Sequence, residues 1–456
     1  MIKNIFLSST KPYGLYDFII SASKLSAEKS TKQHLKLEFI DKKKITFSFL
    51  KFFIFFLLSG SLFNWGRVIK LKYKDCDIGR FSIAKSFRDV SSYKNILYLY
   101  YNLIKNLFFS GLLVDTAIIL KDNVKAVYID HIGYLNGALF SIFSKYKIRV
   151  YTNAYPRSIF YIDYKKKNNY FLNSIENALK IRPSRKKIIP SKAQIFFYEN
   201  ILKKPNLIPY MKYAKFIKIN NYKNVNWKSY NCIIYTHSFL DAQLWYGDDG
   251  FKNLYDWLLF TIQELLNRNY KIIIKAHPNF YNSAIGETAD IDKKIFNKIK
   301  KKFNDKNIFY IDEPVKNFDL LKKVSKKTLL ISHHGSALIE GMYLGFKCIS
   351  SSSTFWSHEF LLTNQWNSQD EYKNILSRKW KDLIYSNKDH LNDLLYNVFW
   401  KKGSIYGKQY YVETISRVSR ISRELMFKLQ HEIKVKKETR DRIINQLEKN
   451  IEEVKL

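Results

Sequence analysis

The sequence predicts an α/β protein built on parallel sheets and divided into more than one domain. Three observations carry that expectation. Short apolar runs recur along the chain, among them Val124 to Ile129, Cys232 to Tyr235, Lys271 to Ile274, Asn307 to Ile311 and Thr328 to Ile331. Runs of four to six such residues suit strands buried on both faces. Several lead into a Gly-, Ser-, His- or Asp-bearing loop and then a segment of helical periodicity, the order of a βαβ unit. At 456 residues the chain has room for two ordinary domains and an appendage.

Composition narrows the class. With 46% hydrophobic and 16% aromatic residues the chain is not disordered. A formal charge of +37 invites an anionic partner. The same richness in Lys, Ile, Asn, Tyr and Phe follows from an AT-rich genome. The charge therefore points towards an anionic membrane surface, and not to nucleic acid, since no DNA- or RNA-reading motif is present. Cys76, Cys232 and Cys348 are odd in number, far apart and without metal-ligand spacing. That pattern fits a reducing compartment and argues against a disulfide scaffold or structural zinc. The apolar run at Met1 to Ser9 is too short for a signal peptide and reads as a first strand, so the expected location is cytoplasmic.

In chain order, Thr46 to Trp65 contains the intensely apolar Phe52 to Leu58, interrupted before by Lys51. It falls short of the ~20 residues that span a bilayer. The expectation is a buried or interfacial helix, the latter resting peripherally on the inner leaflet with lysines on lipid phosphates. Residues 94–120 read as an aromatic-rich helix. Val124 to Ile129 ends at Asp130 and His131, a helix runs to about Tyr146, and Ile148 to Tyr151 is another strand. Ligands of open α/β sheets gather outside the carboxyl ends of strands. Asp130 and His131 therefore stand where chemistry is done, although Asp130 also suits the cap of the following helix. The Lys- and Asn-rich residues 165–229 hold prolines at 183, 190, 205 and 209, and their later part reads as the passage between domains.

The second domain opens with Cys232 to Tyr235, and its following loop offers Asp241 to an interdomain cleft. Gly247 to Gly250 reads as a solvated turn, and Leu254 to Leu266 as an amphipathic helix. Lys271 to Ile274 runs into Lys275, His277 and Pro278; the proline cannot continue a ladder, so His277 is pinned at the strand end. Lys275 and His277 can both donate to phosphate oxygens. The strand ending at Ile331 leads into Ser332, His333, His334, Gly335 and Ser336, then a helix closed by Gly345. Ser336 is a good N-cap residue type, and free N–H groups at a helix start favour an anion. Glu340 lies about one turn further along the same face, placed to hold a ribose diol or merely to be solvated. Trp366, Trp380 and Trp400 read as packing anchors, and residues 409–456 as a long charged helix or a pair of them.

Through Lys275-Ala276-His277-Pro278 and Ser332-His333-His334-Gly335-Ser336 with Glu340 and Gly345, residues 230–360 resemble bacterial surface-polysaccharide glycosyltransferases of the GT-B fold. The capsule proteins that include Kdo transferases are the nearest in pattern; polysialyltransferases and teichoic-acid glycerophosphotransferases are more distant. The resemblance implies two Rossmann-like domains facing a cleft, with an acceptor on 1–222, a nucleotide-sugar donor on 223–407 and a helical extension over 408–456. It gives His277 and Pro278 the donor phosphate, Ser336 the phosphate loop and Glu340 the ribose. The His333–His334 pair and Lys347-Cys348 depart from the family pattern. Asp248-Asp249-Gly250 lies too near His277 to be the acidic motif of polysialyltransferases.

The function expected is transfer of a sugar from a nucleotide donor to a glycan or lipid-linked glycan acceptor of a capsule or lipopolysaccharide. No cofactor or metal is expected, since no Asp-x-Asp pair stands where a cleft metal would need one. Lys275, His277 and the helix start at Ser336 would meet the leaving phosphate. Asp130 or Asp241, with His131 behind them, would activate the acceptor hydroxyl or, in a retaining enzyme, act as nucleophile. The alternatives are a CDP-glycerol-type polyol-phosphate transferase and a non-catalytic polysaccharide-binding or export protein.

Overall fold

The computed structural model describes residues 3–7, 37–39 and, with gaps, 46–162 and 188–395. In the first unit, β1 (Lys3–Leu7), β2 (Leu37–Phe39), β5 (Val124–Ile129), β6 (Arg149–Ala154) and β7 (Ser158–Ile162) form one sheet. Its order is β2-β1-β5-β6-β7, parallel except for the last pair. Between β2 and β5 lie α1 (Phe47–Leu58), α2 (Trp65–Ile69), a small antiparallel hairpin of β3 (Lys72–Tyr73) and β4 (Cys76–Asp77), α3 (Gly79–Arg88) and α4 (Ile96–Leu120). Helix α5 (Asn136–Lys145) joins β5 to β6.

Local chemistry starts and stops these helices. Thr46 caps α1 by accepting from the Phe49 N–H at 3.2 Å, and Asn95 caps α4 by accepting from Tyr98 N–H at 3.0 Å. Helix α4 is the one helix among the described residues long and apolar enough to cross a membrane. It is nevertheless a core helix, because a polar stripe runs down its inner face. Asn102 donates to Ser91 and Ser92 at 2.8 and 2.9 Å, Asn106 to Ser86 at 3.0 Å, and Ser110 pairs with Ser82 at 2.8 Å. Fully buried Asp115 collects Tyr73 Oη at 3.0 Å, Lys74 Nζ at 2.8 Å and Thr46. Such groups tolerate burial because every one is partnered within the protein. At Gly111 a Cβ would lie 1.9 Å from the Phe49 ring, so glycine lets α1 and α4 touch.

The second unit is a six-stranded, wholly parallel sheet of order β10-β9-β8-β11-β12-β13. Its strands are β8 (Cys232–Tyr235), β9 (Ile272–Lys275), β10 (Ile308–Ile311), β11 (Leu329–Ser332), β12 (Cys348–Ser351) and β13 (Asn364–Trp366). The helices are α6 (Ile188–Phe197), α7 (Leu254–Leu266), α8 (Glu287–Lys302), α9 (Asn317–Lys323), α10 (Ala337–Tyr343), α11 (Gln369–Ser377) and α12 (Lys388–Leu395). Successive strand residues serve opposite cores: Ile234, Ile274 and Ile331 pack with Trp257, Leu258 and Trp366, while Ile233, Ile273 and Leu330 pack with Phe197, Leu338 and Leu394. Both faces are covered, which is why these strands read as unbroken apolar runs. Ala193, Phe197, Ile201 and Leu202 join the second of these cores, so packing groups 188–202 with the second sheet.

The strand order has one consequence for function. The chain lays down β8, β9 and β10 towards one edge, then returns to the other side of β8 for β11, β12 and β13. Between β8 and β11 the winding reverses, and a crevice opens outside the carboxyl ends of two strands whose following loops diverge.

Candidate functional site

The loops at that reversal carry histidines. His237 follows β8, His277 follows β9, and His333 and His334 follow β11. The His237 ring lies 4.0 Å from that of His334 and 5.3 Å from that of His277, centroid to centroid. Two segments some fifty residues apart in sequence, the Lys275 to Pro278 stretch and the Ser332 to Ser336 loop, are thus joined through His237. His237 was not singled out from sequence. Its signal was its place after the strand that turns out to be central, and strand order is not visible in one sequence.

Burial disfavours the charged form of three of these imidazoles, His237, His277 and His334. Burial, helped by His237 and Lys275 and opposed by Asp241, pushes His277 down to about 3. Burial also lowers His237 and takes His334 well below the ordinary histidine range. His237 and His277 at neutral pH are therefore neutral N–H donors and lone-pair acceptors rather than cations.

Behind them stands a buried carboxylate. Asp249 is 2% exposed and accepts from His333 Nε2 at 2.6 Å and Ser351 Oγ at 2.6 Å. Burial alone would raise its pKa, but His333 and these hydrogen bonds hold it below the usual carboxylate range. His333 Nδ1 in turn lies 2.7 Å from His334 Nδ1. The solvated turn expected at Gly247 to Gly250 holds for exposed Asp248 and Gly250 but not for Asp249. Gly247 and Gly250 have positive φ of 136° and 93°, and the turn points Asp249 to the histidines while the Gly250 N–H donates to Asp248 Oδ1. Sequence gave no sign of which of two adjacent aspartates would be buried.

Asp241 meets the first unit. It accepts from Tyr134 Oη at 2.7 Å and pairs with Arg88 at 3.2 Å. Burial works against its charge, yet Arg88, His237 and Tyr134 together keep it below the ordinary aspartate range. Arg88 ends α3, so the second unit's first loop faces a cation and a phenol contributed by the first unit. Asp130 and His131 lie outside the described residues.

Lys275 and Glu340 act on one another. Lys275 is buried at the end of β9, and burial, opposed by Glu340, lowers it to about 8. Glu340 sits on α10 and is raised to about 7 by burial against the pull of Lys275 and Asn317. Glu340 as a whole is half-buried, but its carboxyl lies deep enough for burial to outweigh the pull of Lys275.

The loop before α10 differs from expectation in one respect. Ser336 is helical, with φ −60° and ψ −16°, and its side chain makes no cap bond; a cap residue needs extended backbone. The turn is closed instead at Gly335, whose carbonyl accepts from Leu338 at 3.1 Å. Gly335 N–H donates to Ser332 Oγ at 3.1 Å, and a Cβ there would meet that oxygen at 2.5 Å. Gly335 is thus needed by Ser332, whose hydroxyl donates to the Tyr235 carbonyl. Gly345 closes the helix as expected, at φ +81°, with Phe346 N–H on Gly341 O at 2.9 Å and its own N–H on Met342 O at 3.0 Å. Pro278 opens a short helical turn after His277. Among the described residues no group of three or more His, Cys, Asp or Glu is disposed to hold a metal ion.

No family model matches the chain, and neither does any curated protein sequence. Solved structures do match at low identity. KpsC of Thermosulfurimonas dismutans, a beta Kdo 2,4 transferase, is 12% identical, covering 61% of this chain and 80% of its own, with a TM-score of 0.37. HepE of Anabaena in complex with UDP is 11% identical over 93% of this chain and 99% of its own, at 0.32. A UDP-GlcNAc 2-epimerase of Methanocaldococcus jannaschii is 13% identical over 87% and 98%, at 0.28. Likeness at these scores is too loose to argue from; the two Rossmann-like sheets rest on this chain's own strand order.

Proposed function

We propose that the chain is a glycosyltransferase of GT-B architecture that moves a sugar from a nucleotide donor to a growing capsule or lipopolysaccharide glycan. The single observation supporting this most is the convergence of His237, His277 and His334 at the point where the second sheet reverses its winding. That is where open α/β sheets take nucleotides. Neutral imidazoles there offer N–H groups to phosphate oxygens at no cost in charge repulsion among themselves.

The residues divide the chemistry as follows. His277, with Pro278 fixing its backbone, and the His333–His334 loop hold the donor phosphates. Lys275, lowered to about 8 by burial, is still mostly protonated at neutral pH, is held in that form when an anion enters beside it, and so stabilises the leaving phosphate. Glu340 takes the ribose, and Gly335 and Ser336 shape the loop under it. Asp241 is kept ionised, the form required of a base or nucleophile. Its ion pair with Arg88 and its hydrogen bond from Tyr134 set a cation and a phenol of the first unit beside this base or nucleophile. Asp130 and His131 would serve the acceptor.

Incubation with a panel of nucleotide sugars and CDP-glycerol, read by mass spectrometry on glycan acceptors, tests the proposal. Transfer of a hexose, hexosamine or Kdo supports it. Transfer of glycerol phosphate would replace it by polyol-phosphate transfer, and no transfer with no nucleotide bound would leave a non-catalytic glycan-binding protein.

A further inference from the structure

A surface on the first unit carries an inference that does not depend on the nucleotide reading. Helix α1 buries Phe49, Phe53 and Phe56 and turns the opposite stripe outward, with Phe47 83%, Phe55 74% and Leu58 81% exposed. Phe63, just beyond α1, is 72% exposed and lies 5.4 Å from the ring of Tyr100 on α4. The first turns of α4 continue the face with Leu97, 75% exposed, and Tyr101. Among the described residues, nine of the thirteen large hydrophobic side chains that stand exposed fall between residues 47 and 101. So dense an apolar face is a site for a partner, since scattered single exposures would need no explanation.

The charge around it selects that partner. From 46 to 74 and from 90 to 114 the sequence contains seven Lys and Arg and no Asp or Glu. Lys51 lies in the exposed stripe itself, and Lys94 and Lys105 sit 5.7 Å over the rings of Tyr98 and Tyr101. A second copy of the chain would bring this cationic face against itself. The chain's own segment 408–456 has 12 Lys and Arg against 8 Asp and Glu, so it too is net positive. An apolar centre with aromatic edges and a lysine rim matches the boundary between acyl chains and anionic headgroups. We propose that this face docks the protein on an anionic lipid bilayer, with α1 and the start of α4 lying in the headgroup layer. The buried polar stripe of α4 keeps that helix in the protein, so α4 rests against the membrane and does not cross it.

Sedimentation of the full chain with vesicles tests this. The vesicles are phosphatidylcholine alone, or phosphatidylcholine with phosphatidylglycerol, at low and high salt. The wild type should partition onto the anionic vesicles, less at high salt, and little onto the neutral ones. Phe55→Ser with Leu58→Ser should weaken that partition by more than about tenfold with an unchanged melting curve, since neither side chain is in the core. Failure of the wild type to sediment with anionic vesicles would overturn the proposal. So would wild-type partition in the double variant, or a double variant that changes only the oligomeric mass, the sign that a second copy covers the face.

Discussion

Asp292 shows how one buried group sets a pH dependence. It is fully buried, accepting from Ser238 Oγ at 2.6 Å and Phe239 N–H at 2.7 Å, and burial, only partly offset by these bonds, raises it to about 7 from 3.8. A carboxyl whose folded pKa exceeds its unfolded value binds its proton more tightly when folded. Its contribution is complete below about pH 3.8 and is lost as pH rises through about 7. Melting temperatures should fall across that window, and Asp292→Asn should flatten the fall; an unchanged slope would place the titration elsewhere. Asp249 behaves oppositely, since its depressed pKa favours the charged form. Asp249→Asn leaves His333 facing an amide and should cost on the order of 1–3 kcal/mol in denaturant melts. At this scale the sequence spoke for residue types at strand ends, as with His277, and was silent on partners. Nothing in Gly247 to Gly250 reveals that Asp249 will find His333 eighty-four residues on, because that meeting depends on β8 and β11 being neighbours.

Elements were far more legible. Val124–Ile129, Leu254–Leu266 and the strands around His277 and His333 fall where apolar runs and periodicity place them. For Leu254–Leu266 and the two second-unit strands the reason is burial on a defined face, which imposes the pattern that sequence reading detects. Local backbone demands were mixed. Gly345 was legible as a left-handed closure, and Gly345→Ala, with open space around it, should cost about 1 kcal/mol from backbone strain alone. Ser336 as a side-chain cap was not, because several residues near a helix start have the right chemistry and only dihedrals choose among them. Gly111→Ala should cost more, about 1–3 kcal/mol, since the added methyl meets the Phe49 ring where α1 and α4 cross. Equal melting of the two glycine variants would mean that α1 moves aside freely. Long-range packing of this kind has no local signature; Gly111 looks in sequence like any glycine in an apolar helix.

For the whole molecule, strand order matters most and was least visible. The alternation of strands and helices predicts parallel sheets, but not that the second sheet reverses at β8 and β11, and it is the reversal that gathers His237, His277 and His334. The first unit contributes Arg88 and Tyr134 across the gap to Asp241, so the crevice is walled by both units. Calorimetric titration of the full chain with UDP, CMP, CDP and GDP, repeated with His277→Ala, reads that crevice directly. One of the four should bind the wild type and lose at least tenfold in affinity in His277→Ala, with the melting curve unchanged. Binding by none of them, or binding that His277→Ala leaves intact, would contradict a nucleotide held at the reversal of the second sheet.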